Sequence, residues 1–210
     1  MKAPNQRKII VYIATSADGY IARKDGDVEW LNRPRTAGDY GMGAFYRSID
    51  TILWGRKTFE VALDFQQAGV PGSAFDTRIK NYVFTRKLRK KLRSGKFVPP
   101  AGVEIVDESV ASFAKRLRAT PGKDIWMMGG AGIIASFLDA GEIDEFIIHA
   151  IPTFIGEGIP LVQPRHRNVP LLLKSVKRFK DGVVCLHYKV ERHAAAKSTK
   201  GRKSKIAKRK

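Results

Sequence analysis

Cysteine is nearly absent. Cys185 stands alone among 210 residues, so no internal disulfide can form and a reducing compartment suits the chain. Long apolar runs are missing too: no window approaches the roughly 18 consecutive apolar residues of a membrane span. No N-terminal stretch has the basic, apolar and small-residue order of a secretion signal. These absences predict a soluble, cytoplasmic protein with no membrane partner, and no metal is expected. What is present is globular composition. A hydrophobic share of 43% with 10% aromatics excludes wholesale disorder, and 210 residues are enough for one domain with a sizeable core.

Acidic residues are also scarce, 20 against 39 Lys and Arg, for a net charge of +19. They vanish altogether from residues 194–210, where eight Lys or Arg contribute +8 and leave +11 for residues 1–193. This tail has no period and almost no apolar content, so it reads as a disordered basic arm following a domain over 1–193. Such an arm attracts nucleic acid or any polyanion by counterion release, without sequence specificity. A second basic run, RKLRKKLRSGK, covers 86–96. Residues 89–96 of it read as a solvated charge run, although a basic surface also suits small phosphorylated ligands.

Strand and helix patterns alternate along the rest. KIIVYIAT (8–15) is a β-branched apolar run suited to a strand buried on both faces. Residues 16–37, with two Asp-Gly dipeptides, read as a long loop. A short helix follows Asp39, placed near its N-cap. Further strands are expected at 51–54, 80–85, 103–106, 124–128 and 145–151. Helices are expected to begin at Lys57, after a Ser109 cap, and at Gly132, the last closed by Gly141. The closing segment alternates on both sides of Asp181-Gly182, a hairpin signal. The sum is one α/β domain, a mostly parallel sheet with antiparallel strands added at its edge.

In such a sheet, ligands gather at the carboxyl ends of the strands. Three junctions qualify. At the first, Gly55 lets the backbone turn and Arg56, Lys57 and Thr58 open a helix, where free N–H groups and the dipole favour an anion. At the second, Thr85 and Arg86 end a strand, a weak signal by itself. At the third, Gly129, Gly130 and Gly132 lie between strand and helix, and residues 130–135 satisfy G-x-G-x-x-A. The strand that follows ends in Ile151-Pro152 and offers no carboxylate for a ribose, so a standard dinucleotide fingerprint fails there while phosphate binding survives.

Three segments carry a resemblance: S-x-D-G-Y-I-A from Ser16 to Ala22, G-R-K-T at 55–58, and the run 129–161 with its G-G, A-G-x-I-D-E and P-x-x-x-G-x-G order. On these the chain resembles the dihydrofolate reductase superfamily over residues 8–190. The likeness is closest to the branch containing the reductase domain of bacterial riboflavin biosynthesis. The resemblance implies a three-layer fold, hydride transfer, NADPH as cofactor and a homodimer. It implies that Gly55, Arg56, Lys57 and Thr58 hold cofactor phosphates, with Arg56 or Lys57 near the 2′-phosphate and Thr85 and Arg86 at the adenosine end. Met128, Gly129, Gly130, Ala131, Gly132 and Ile133 would pass near the pyrophosphate and nicotinamide, flanked by Ala14 and Ile21. Three departures stand out: Trp54 where the family has Met, Tyr12 where riboflavin-pathway reductases carry Lys, and the basic tail.

Reduction of a C=N or C=O bond also needs a proton. Asp39, 16 residues before Gly55, matches the spacing of the acid in dihydrofolate reductases, yet serves equally as a capping aspartate. His149 on a central strand is either a proton relay or a satisfied buried histidine. Asp18 and Trp30 are substrate-side candidates, against an ordinary Asp-Gly turn and a loop anchor. The expected activity is reduction of a small planar heterocycle, pterin- or pyrimidine-like. The alternatives are the 5-amino-6-(5-phosphoribosylamino)uracil reductase of riboflavin synthesis and a non-specific nucleic-acid-binding protein.

Overall fold

The computed structural model describes residues 6–34, 36, 38–70 and 75–191, apart from the side chains of Arg86 and Arg89. The basic tail, and with it the domain limit at 193, lies outside the described residues, as does the side chain of Arg86.

In chain order the elements are β1 (Ile9–Ser16), β2 (Tyr20–Ala22), a 3-10 turn at Glu29–Leu31, α1 (Met42–Ser48), β3 (Ile49–Gly55), α2 (Arg56–Gln67), β4 (Lys80–Phe84), α3 (Arg86–Arg93), β5 (Val103–Val106), α4 (Val110–Ala119), β6 (Asp124–Gly129), α5 (Ala131–Asp139), β7 (Glu145–Ile151), β8 (Ile159–Pro160), β9 (Leu171–Arg178) and β10 (Val184–Val190). Eight strands form one sheet in the order β5-β4-β3-β6-β1-β7-β10-β9, with β2 and β8 paired separately. The first six are mutually parallel; β10 runs antiparallel to β7 and to β9. This is the mixed, mostly parallel sheet with a terminal hairpin that the sequence predicts.

Period-two alternation sorts the strands onto two cores. Ile9, Val11, Leu53, Ile125 and Met127 face α4 and α5, meeting Phe113, Leu117, Ile134 and Phe137. Ile10, Tyr12, Ile52, Trp54, Val83 and Trp126 face the other way and meet Phe45 of α1, Phe59 of α2 and Leu88 of α3. Two arginines tie the amino ends of the strands. Arg7, 5% exposed, pairs with Asp50 and donates to Thr51 Oγ1 at 2.8 Å and to the Lys123 carbonyl at 2.6 Å. Arg118 donates to the Arg7 carbonyl and to Asp144, each at 2.8 Å.

The structure departs from or adds to the sequence reading at four places. Residues 16–37 are not one loop, because β2 and a 3-10 turn lie within them. Residues 86–93 form a helix, since Lys and Arg are good helix formers, Thr85 caps the start and Leu88 is buried, while residues 90–96 are exposed as a solvated charge run should be. The short strand β8 carried no signal of its own. Finally, α1 begins at Met42 behind Gly41, with Asp39 acting from two residues upstream.

Candidate functional site

Adjacent strands β3 and β6 send their chains to opposite faces of the sheet. From β3 the chain enters α2, whose Phe59 packs with Tyr12 and Trp126; from β6 it enters α5, whose Ile134 and Phe137 pack on the other side. A crevice necessarily opens at the carboxyl ends of such a pair. It is a cleft of about 1230 Å³.

Two helices aim their amino ends into it. Gly55 precedes α2 and Gly130 precedes α5, and neither position supplies a side-chain cap. First-turn N–H groups there have no partner within the helix. The two ends come together because both positions lack side chains. A Cβ on Gly55 would stand 3.2 Å from both the Gly129 carbonyl oxygen and the Gly130 nitrogen, and one on Gly130 would stand 3.2 Å from Thr58 Oγ1. The Gly129–Gly130 peptide is cis, and Gly129 has φ +115°. Only glycine accepts that φ without strain.

Around this junction the cleft brings together nearly all the expected residues. Gly55, Arg56, Lys57 and Thr58 line it on the α2 side; Met128, Gly130, Ala131, Gly132 and Ile133 line it on the α5 side. Ala14 and Ile21, with Ile13, add apolar wall. Over it stand β2 and β8, joined through Ala22 and Ile159. Thr85 also lines the cleft, but its hydroxyl is engaged as the cap of α3, accepting from the Leu88 N–H at 3.2 Å.

The remaining candidates lie elsewhere. Asp39 is exposed and accepts from the N–H groups of Gly41 and Gly43 at 2.9 and 2.8 Å, which holds its carboxyl below the usual range. It does not line the cleft. His149 is 4% exposed, with Nε2 3.2 Å from the Tyr40 carbonyl and 3.4 Å from the Tyr12 hydroxyl. Burial pushes its pKa down, so the ring is neutral near pH 7. Trp30 is buried against Ile151 and Val183 and anchors its loop. Asp18 accepts from Ser16 Oγ at 2.5 Å and from the Gly156 N–H at 2.8 Å, tying the turn after β1 to the loop before β8.

Sequence reasoning missed the acidic side of the cleft. Glu60, Asp64, Asp107 and Glu108 line it, as do Lys24 and Asp25. Glu60 pairs with Arg56, Glu108 with Arg116 and Lys24 with Glu157. One signal was available: Glu60 lies four residues after Arg56, the spacing that brings side chains together on a helix.

Comparison with known proteins agrees with this architecture. The family model of the RibD C-terminal domain matches residues 7–185. The protein YwjB of Bacillus subtilis (strain 168) is 36% identical over 184 residues, covering 87% of this chain and 98% of its own. A solved structure from Shewanella sp. PV-4, described as a riboflavin biosynthesis protein, superposes with a TM-score of 0.72 at 25% identity, over 88% of this chain and 99% of that one. Dihydrofolate reductase from Enterococcus faecalis, solved with NADP(H), shares the fold with a TM-score of 0.55 at 15% identity, over 89% and 98%. The chain belongs to the RibD C-terminal domain family, within the dihydrofolate reductase-like fold.

Proposed function

We propose that this protein is an NADPH-dependent reductase of a small planar heterocycle, pterin- or pyrimidine-like. The observation that carries the reading is the meeting of two uncapped helix N-termini across bare glycine backbone in one cleft. Free N–H groups and two dipoles converge there, which suits the pyrophosphate of a dinucleotide. At about 1230 Å³ the cleft exceeds the roughly 1,000 Å³ typical of a single drug-sized ligand, which supports a site for two reactants. When bound, the dinucleotide supplies the hydride.

The chain's own residues divide the remaining work. Gly55 and Gly130 admit the phosphates, and Arg56 and Lys57 stand where a 2′-phosphate would be selected. Ala14, Ile21 and Met128 form an apolar wall suited to the nicotinamide face and exclude water from it. That wall holds no titratable side chain, and Asp39 and His149 lie outside the cleft, so we assign the proton to water.

The family resemblance keeps 5-amino-6-(5-phosphoribosylamino)uracil in view as a substrate. The structure weighs against it at one place: Tyr12, where a lysine is expected, is 7% exposed and stacked on Phe45 with centroids 4.3 Å apart. No cation is offered there to a substrate phosphate.

The reading is tested by fluorescence titration with NADPH and NADH, then by a screen of pterins and aminopyrimidines for oxidation of the bound cofactor. Replacing Arg56 and Lys57 together with alanine should weaken NADPH at least tenfold more than NADH. Equal losses would refute the 2′-phosphate assignment, and no binding by the unaltered chain would refute the reductase reading.

A further inference from the structure

The phosphate corner of the cleft holds an anion of its own. Arg56 opens α2 and Glu60 lies one turn on; the two side chains form an ion pair, 29% and 35% exposed. Helix stability does not ask for this pair. A cation in the first turn opposes the dipole, and base-before-acid is the weaker order for an i,i+4 pair. Both residues line the cleft, with Asp64 another turn along. Lys57 makes no ion pair among the described residues. Although the protein carries +19 overall, the described charged side chains of the cleft are Lys24, Arg56 and Lys57 against five carboxylates. A dianionic phosphate arriving at this corner therefore meets an Arg56 already paired through Nη1 and settles beside a carboxylate.

We propose that Glu60 is a specificity-determining residue of the nucleotide cleft. By holding the Arg56 guanidinium, its carboxylate lowers the preference for a nucleotide with an additional ribose phosphate over one without it. This rests on the dinucleotide reading above and extends it to a residue that touches Arg56 and not the reacting atoms. Glutamine at 60 keeps the side-chain volume and helix propensity while removing the charge. A charge-assisted hydrogen bond is roughly twice as strong as a neutral one, so freeing the guanidinium for the phosphate should favour the phosphorylated nucleotide by roughly five- to tenfold.

The test uses the full chain carrying Glu60→Gln. Dissociation constants for NADPH and NADH are measured by fluorescence titration at low and high salt. The expected result is a five- to tenfold rise in the ratio Kd(NADH)/Kd(NADPH), shrinking at high salt as the interaction is screened. An unchanged or falling ratio would overturn the proposal, because the pair would then be neutral or would position Arg56 productively. The double variant Arg56→Gln, Glu60→Gln completes the cycle. Loss of the gain in the Arg56→Gln background supports the pair as its source, and persistence of the gain overturns it. If the unaltered chain binds neither nucleotide, the dinucleotide reading itself fails and this inference goes with it.

Discussion

Alanine at position 55 separates packing from ligand access at the junction of α2 and α5. A Cβ there would stand 3.1 Å from Ile133 Cγ2 and 3.2 Å from the Gly129 oxygen and the Gly130 nitrogen. The isoleucine methyl can rotate away. The two backbone atoms cannot move freely, because Gly129 is paired in register with Trp54. Gly55 has φ −78° and ψ 150°, ordinary for alanine, so no backbone strain enters. Losing glycine's freedom in the unfolded chain stabilises by about 0.4–1 kcal/mol. Mild overpacking costs about 1 kcal/mol, the low end of its range, since the overlap is a few tenths of an ångström. The two nearly cancel, and at 2–4 °C per kcal/mol for a chain of this size the melting temperature should move by less than about 4 °C. The same methyl stands between two helix N-termini at the place assigned to the pyrophosphate. NADPH affinity should therefore fall at least tenfold, about 1.4 kcal/mol. Thermal unfolding and fluorescence titration on one preparation decide the matter. Unaltered affinity would refute the assignment of this junction to phosphate. A fall of more than about 8 °C would show that Gly55 is needed for packing first.

Two further outcomes follow from the buried polar groups. Arg7→Met leaves Asp50 without its guanidinium and Thr51 without a donor. Removing one partner of a buried pair costs about 3–5 kcal/mol, and since the Asp50 side chain is 34% exposed, about 2–3 kcal/mol is expected in urea unfolding; a loss under 1 kcal/mol would mean the pair is decorative. His149 has its pKa lowered from 6.5, chiefly by burial and against a small opposing effect of the Tyr40 carbonyl. The unfolded chain then binds a proton more readily than the folded one, so stability is whole above pH 6.5 and declines below it until the folded histidine itself titrates. His149→Gln should flatten that decline between pH 7 and 5 in thermal melts, and an identical slope in the variant would refute the assignment.

The sheet was legible because its evidence is local. β5 and β7 occupy the predicted residues, and β1, β3, β4 and β6 differ at their ends by one or two, since short length and β-branched or aromatic content favour a strand over a buried helix segment. Ser109 and Asp181-Gly182 were equally plain: one caps α4, accepting from the Ser112 N–H at 3.2 Å, and the other turns the hairpin with Gly182 at φ +87°. The 86–96 stretch shows where local reasoning stops. Its two leucines are too few to mark a period against six Lys and Arg in the first nine residues, and only packing reveals that Leu88 is buried against the α1 and α2 side of the sheet.

For the site, the glycine junctions could be read from spacing, because close backbone approach needs glycine whatever the surroundings. The chemistry around them could not, because it depends on where side chains end. Asp39 had the right distance in sequence from Gly55, yet its carboxylate is turned to the Gly41 and Gly43 N–H groups, and His149 is turned to the Tyr40 carbonyl. Spacing along the chain fixes neither direction. Basic composition is no better a guide to the site. Averaged over the chain, +19 suggests a positive cleft, but a cleft is a selection of residues from many strand ends. Here β5 is followed by Asp107 and Glu108, while α2 carries Glu60 and Asp64 on the face that lines the cleft. Net charge governs encounter at distances beyond the Debye length of about 8 Å only weakly at physiological salt. Selectivity between two nucleotides that differ by one phosphate is decided inside that distance, by Arg56, Lys57 and the carboxylate that holds one of them.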